Sequence, residues 1–307
     1  MLTMTTTTPF KRLSRPQNPP SFRITERDIT IVRAVAKYRF LSSDQIIRLL
    51  GDASHQQVLR RLQLLYYHHF LDRPVHQHMQ LSAFAHLVYG LGREGARLLA
   101  GDHLVDARQW TTKNNRATST FLMHTTETAA AMLAIESECS AHNVRLLQQY
   151  ELLPYFPAAT CELRDPFRLR VSMQKDFKSV TINVVPDRVF SIVLPDQRRH
   201  NFCLELDRGT MSVRARFSSK LTGYFEGWKQ DCQKKQWNFE GYRCITIAPS
   251  ETRIQNMIAA QRKITADRVA ALFLYSTPER IAAHGPLGPA WVNANGEGLA
   301  LIDGEPH

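Results

Sequence analysis

N-F-C-L-E-L-D-R-G-T, running from Asn201 to Thr210, is an apolar stretch that closes on two carboxylates and a turn. Successive strand side chains point to opposite faces, so Glu205 and Asp207 share one face and Leu204 and Leu206 the other. A third carboxylate, Asp187, follows Pro186 in the preceding extended segment. Three carboxylates gathered on neighbouring strands are costly unless a cation lies among them. The alternative is a solvated sheet edge on which Asp207 caps the turn Arg208-Gly209-Thr210.

Around this strand the pattern reads as a helix from about Thr118 to Ala141 and a strand over 144–153. Strands follow near 180–194 and 200–207, then a helix over 212–230 and a strand over 241–248. Further helix and strand are expected at 251–264 and 268–275, and the Gly- and Pro-rich tail, residues 285–307, reads as loosely ordered. Helix, three strands, helix, strand is an α/β core. Upstream, the polar stretch 101–116 reads as a linker.

The N-terminal third has a different character. T-E-R-D at Thr25, followed by Ile29, Val32, Val35 and Ala36, marks a capped amphipathic helix with Asp28 in the reciprocal capping position. Ser42 or Ser43 caps a short second helix that Gly51 stops, and Ser54 opens a third through about Tyr67. Three helices joined by tight turns are the helix-turn-helix pattern. A strand from Phe70 and a second ending in L-V-Y-G-L-G (87–92) add a wing. The third helix buries Val58, Leu62 and Leu65 and offers Gln56, Gln57, Arg60 and Arg61, side chains that pair with adenine and guanine edges. A solvated polar face is the alternative. Within the wing, H-Q-H (His76 to His78) has the outline of a metal-binding strand, but Gln77 and the lack of a third His favour a polar wing tip.

Charge supports a polyanionic partner. The chain has a net charge of +11, and residues 1–123 carry 17 Lys and Arg against 8 Asp and Glu. That local excess accounts for most of the total. Residues 1–22 hold Arg12 and Arg15 among threonines and prolines and read as a flexible basic arm, either an inert tail or a grip on phosphates. No apolar run is long enough to span a bilayer and no secretory signal is evident, so a cytoplasmic protein without a membrane partner is expected. Five scattered cysteines fit packed thiols better than disulfides or zinc. No H-E-x-x-H, Walker-type or dinucleotide-binding motif is present.

The string P-D, then F-x-L-E-L-D-R-G-T, then K-L-x-x-Y (Lys220, Leu221, Tyr224), behind a T-x-R-D winged helix, resembles the replication-relaxation family of plasmid and mobile-element proteins. That family includes relaxases of the class C mobilization type. The resemblance implies a C-terminal domain similar to the PD-(D/E)XK nuclease fold, in which Asp187 and Glu205 would hold Mg²⁺ or Mn²⁺ and a lysine would position the attacking water. Asp207 stands where that lysine is usual, which points to Lys220 as the substitute. Asp207 and Glu127 would complete the acidic site.

The expected organisation is therefore α+β to α/β: arm 1–22, winged helix-turn-helix 23–100, linker 101–116, nuclease-like domain 117–284 and tail 285–307. The expected function is recognition of double-stranded DNA followed by metal-dependent nicking or cleavage. Single-stranded DNA at a nick, a second copy of the chain, or other mobile-element proteins would be further partners. The competing expectation is a sequence-specific replication or transfer regulator whose nuclease-like domain has lost its chemistry.

Overall fold

The computed structural model describes residues 13–51, 54–80, 86–101, 114, 116–175, 178–209 and 216–302. They form a mixed α/β protein of two compact units, Met1–Leu133 and Ala134–His307. The division falls within a single helix, α5 (Ser119–Ala141). Of the stretch expected to be a linker, only Gly101, Asn114 and Arg116 lie among the described residues.

The first unit carries α1 (Glu26–Tyr38), β1 (Phe40–Ser42), α2 (Ser43–Leu50) and α3 (His55–Tyr67), then β2 (Leu71–Asp72), β3 (Val88–Leu91) and α4 (Arg93–Leu98). Thr25 and Asp28 form the capping box that the sequence signals, and Ser42 forms a second with Gln45. Each satisfies amide donors that the first helical turn cannot pair. β3 lies between β1 and β2 and runs antiparallel to both. Ile31, Val32, Val35, Ile46, Val58, Leu62 and Leu65 make the buried interior. Gln77, the middle residue of H-Q-H, is buried and exchanges two hydrogen bonds with the Val88 backbone. It staples the 75–80 segment to β3 instead of tipping a wing.

The basic arm needs correction from Leu13 onward. Tyr66 Oη donates to the Leu13 carbonyl at 2.5 Å, and Phe22 stacks on His68 with ring centroids 4.9 Å apart. Arg15 donates to the carbonyls of Tyr66 and Leu71 at 2.7 and 3.1 Å, pairs with Asp72, and covers the Tyr66 ring. A guanidinium fits the C-terminal carbonyls of a helix and an aromatic face together. Residues 13–23 are thus a strap along α3. Arg12 lies outside the described residues.

The second unit contains β4 (Arg145–Gln148), β5 (Leu169–Lys175), β6 (Lys178–Val184), β7 (Arg188–Val193) and β8 (Arg199–Leu206). α6 (Ser218–Lys229), α7 (Cys232–Trp237), β9 (Arg243–Ile247), α8 (Glu251–Thr265), β10 (Phe273–Ser276), α9 (Pro278–His284), β11 (Trp291–Val292) and β12 (Gly298–Leu299) follow. One seven-stranded sheet has the order β4-β7-β8-β9-β10-β11-β12. β4, β7 and β8 are antiparallel neighbours, β8, β9 and β10 are parallel, and β11 and β12 return antiparallel. β5 and β6 form a separate hairpin inserted between β4 and β7.

The tail is ordered through residue 302, contrary to the sequence reading. Trp291 and Leu301 are fully buried, Ser276 Oγ donates to the Ala290 carbonyl at 2.8 Å, and Trp291 Nε1 donates to the Pro286 carbonyl at 2.8 Å. Its glycines and prolines mark turns around two-residue strands, which are too short to show alternation. All five cysteines are free; Cys139, Cys203, Cys232 and Cys244 are buried and Cys161 is exposed. Among the described residues no helix is long and apolar enough to cross a membrane.

Candidate functional site

The site is built where α6 crosses the β5–β6 hairpin and β8. Two glycines on α6 allow the close approach. A Cβ added to Gly223 would lie 2.3 Å from Val184 Cγ2, and one added to Gly227 would lie 2.8 Å from Leu169 Cδ2. Leu221 and Tyr224 are buried in the same core as Cys203 and Cys244. Lys220 and Tyr224, four residues apart, share one face of the helix.

Both of those side chains end on one carboxylate. Lys220 Nζ donates to Glu205 Oε2 at 2.5 Å, and Tyr224 Oη donates to Glu205 Oε1 at 2.6 Å. Tyr224 is itself held from behind, since Tyr242 Oη donates to its carbonyl at 2.7 Å. Asp187 caps the neighbouring strand end: its amide donates to the Leu204 carbonyl at 3.0 Å, and its Oδ2 accepts from the Leu206 amide at 2.8 Å. Glu205, Asp207, Lys220, Tyr224, Cys244 and Thr246 are among the residues that line a cavity of about 20 Å³, room for one water molecule.

Electrostatics follow from this crowding. Burial, and then the charge of Asp187, push the Glu205 carboxyl up to about 7, while Lys220 and Tyr224 pull the other way. Burial disfavours the Lys220 ammonium, yet the negative charges of Glu205 and Asp187 outweigh it and leave the lysine pKa raised. The Tyr224 hydroxyl is raised well above its ordinary range by burial and by Glu205. Tyr224 is therefore a neutral donor to a carboxyl that titrates near neutrality.

The structure thus brings together Glu205, Lys220 and the charge of Asp187. Asp207 lines the same cavity but is paired with a different cation. Arg253 Nε and Nη2 hold both Asp207 oxygens, at 2.7 and 3.0 Å, in an ion pair of which Asp207 is the more buried partner. A bidentate guanidinium occupies the carboxylate that the sequence reading assigned to a metal. Glu127 is an exposed residue of α5 in the first unit, whereas Asp187 and Glu205 belong to the second. Tyr224 and Arg253 received no role from sequence reasoning. The i+4 spacing from Lys220 signals Tyr224, but nothing local links Arg253 to Asp207 across 46 positions.

Asp187 and Glu205 remain a hard-oxygen donor pair of the kind that Mg²⁺ takes together with waters and phosphate oxygens. Among the described residues no group of three or more His, Cys, Asp or Glu is arranged to hold a metal. Burial first and the Asp187 charge second raise the Glu205 pKa, and a divalent cation would relieve the second of these; Lys220 and Tyr224 occupy the two Glu205 oxygens here.

On the first unit, α3 exposes His55, Gln56, Gln57, Leu59, Arg60 and Gln63. Arg61 is not part of that face. Its Nε donates to Asp28 Oδ1 at 2.9 Å, it pairs with Asp28 Oδ2, and its Nη2 donates to the Arg23 carbonyl at 2.9 Å. Asp28 is fully buried and is also the reciprocal partner of Thr25 in the α1 capping box, so Arg61 neutralises an internal charge. Arg15 is likewise committed to the strap. Of the residues expected to contact DNA, the structure leaves Gln56, Gln57 and Arg60 exposed.

The replication-relaxation family model matches residues 32–240 of the chain. No curated protein and no solved structure matches it.

Proposed function

Matched over most of its length, the protein belongs to the replication-relaxation family, and we propose that it docks on duplex DNA through its first unit and cuts one strand at the Asp187–Glu205–Lys220 cluster of its second. The family placement suggests a role in plasmid or mobile-element replication or transfer. Three helices, a three-stranded sheet and the concentration of positive charge in residues 1–123 support a winged helix-turn-helix as the docking module. The order α5-β4-β7-β8-α6-β9, with two antiparallel pairings followed by a parallel one, supports a PD-(D/E)XK-like domain. A cytoplasmic location follows from this reading.

One observation carries the catalytic part: Lys220 and Glu205 meet at 2.5 Å beside the charge of Asp187. Asp187 and Glu205 would hold Mg²⁺ or Mn²⁺, which when bound lowers the pKa of a water and neutralises charge on phosphate. Tyr224 fixes the Glu205 carboxyl by one oxygen, and Lys220, held by the other, is the cation that would turn to a phosphate oxygen once a metal took up that carboxylate. The pair between Asp207 and Arg253 favours a second reading, a DNA-binding regulator with a silent domain, because the usual lysine position is filled by a structural ion pair.

A supercoiled plasmid carrying the DNA that flanks the protein's own gene separates the two readings. Incubated with and without Mg²⁺, the wild type should nick it, while Asp187→Ala and Lys220→Ala should bind it equally well and leave it intact. Tight binding by all three with no metal-dependent nicking by the wild type establishes the regulator.

A further inference from the structure

We infer that α3 reads an A·T-rich duplex, with Leu59 packed against a thymine methyl group and Gln56 paired with an adenine edge; the inference rests on the docking role proposed above.

Gln56, Leu59, Arg60 and Gln63 are spaced i, i+3, i+4 and i+7, which sets them in one stripe along the helix. The opposite side is occupied by buried Val58, Leu62 and Leu65, so the stripe faces away from the unit's interior. Leu59 is 45% exposed at its centre. A single exposed leucine on an arbitrary surface needs no explanation. This one is flanked by the side chains that read bases, on the most exposed line of the helix that the fold presents.

The chemistry of the stripe selects among base pairs. In the major groove guanine is read chiefly by arginine and adenine by asparagine or glutamine, and the thymine methyl is the one apolar group on offer. α3 contains two arginines, and Arg61 is removed from the count by Asp28. Arg60 is left as the single guanine reader beside Gln56 and Gln57, all three exposed. Gln63 donates to Tyr67 Oη at 2.5 Å and so is braced along the helix. A face of glutamines around a leucine complements adenines and thymine methyls. The positive charge concentrated in residues 1–123 supplies the attraction to phosphate that brings such a face to a groove.

The test uses the full chain and a library of random-sequence duplexes, selected for binding at fixed salt. The recovered core should be A·T-rich. In the recovered duplex each thymine is then replaced singly by deoxyuridine, which removes the methyl and keeps every hydrogen-bonding group. The wild type should lose about four-fold in affinity at one or two positions, the equivalent of one methyl group taken from an apolar contact. Leu59→Ala, an exposed substitution whose thermal melting should match the wild type, should bind the thymine duplex about four-fold more weakly and be indifferent to deoxyuridine at those positions. Gln56→Ala should relax the adenine preference at an adjoining step. A G·C-rich core, a wild type blind to deoxyuridine, or equal deoxyuridine sensitivity in Leu59→Ala each overturns the inference while leaving docking through α3 intact. If the wild type selects no duplex at all, the docking role itself falls, and this inference with it.

Discussion

Replacing Lys220 with methionine keeps the aliphatic stem and removes the ammonium that pairs with Glu205. In the wild type the Glu205 carboxyl titrates at about 7 instead of 4.5, raised by burial and by Asp187 and restrained by Lys220 and Tyr224. A group whose pKa is raised by folding adds stability that is complete below its unfolded pKa and is lost as pH climbs through the folded one. Between the two values Glu205 is protonated in wild type and variant alike. Both lose stability from this group in parallel, at roughly 1.4 kcal/mol per pH unit. Above pH 7 the wild-type carboxylate ionises against Lys220, and its curve levels off. The variant has no ammonium to receive that charge, so its Glu205 titrates higher and its loss of stability continues to higher pH. The penalty of Lys220→Met is therefore flat below neutrality and grows above it, by up to roughly 1.4 kcal/mol per pH unit. Urea unfolding followed by tryptophan fluorescence measures it, since Trp228, Trp237 and Trp291 all lie in the second unit. A penalty that stays constant across that range would refute the claim that this pair holds Glu205 near neutrality.

Arg61→Ala should cost the first unit about 3–5 kcal/mol by stranding the buried charge of Asp28, whereas Arg60→Ala should leave stability within about 0.5 kcal/mol. Chemical denaturation of both variants, paired with a duplex-binding titration, separates them, because Arg60→Ala should weaken binding without unfolding anything. Gly223→Ala should destabilise the second unit by about 1–3 kcal/mol through overlap with Val184 and Ile182, read as a fall in Tm. An unchanged Tm would mean that the hairpin yields to α6 at no cost.

Local signals were the legible part of this chain. Thr25 with Asp28 and Ser42 with Gln45 announce their helices because a capping box is closed within four residues. β8 was legible because alternation is a property of one strand, and Lys220 because the family's motif carries it. β5 was missed, and β6 was read as one strand with β7 over 180–194, since β6 is exposed along most of its length and shows no half-buried alternation that would set it apart. The ion pairs of Arg15, Arg61 and Asp207 were not legible for a common reason. Each is settled by a partner distant in sequence, Asp72, Asp28 and Arg253 respectively, and a charged side chain looks the same in sequence whether it faces solvent, nucleic acid or an internal counter-charge. Convergence of Glu205 with Lys220 was readable as a possibility of the fold, but Tyr224 as a second donor required the helix to be seen lying on the sheet.

The distribution of thiols makes the second unit its own reporter of breathing. Cys203 and Cys244 sit opposite each other on adjacent parallel strands beneath the Glu205 cluster. Burial raises both thiols well above their ordinary pKa, so an alkylating reagent cannot find thiolate there until the sheet opens. Cys161, on the surface, has no such protection. Alkylation of the native protein should therefore show one rapid event at Cys161 and later ones at the four buried thiols, of which those at Cys203 and Cys244 are paced by opening of the strands that carry the site. Followed peptide by peptide, labelling of Cys203 and Cys244 times the loosening of β8 from β9 with no label introduced by mutation, and any duplex that stiffens this unit on binding would register as a lag in its thiol chemistry.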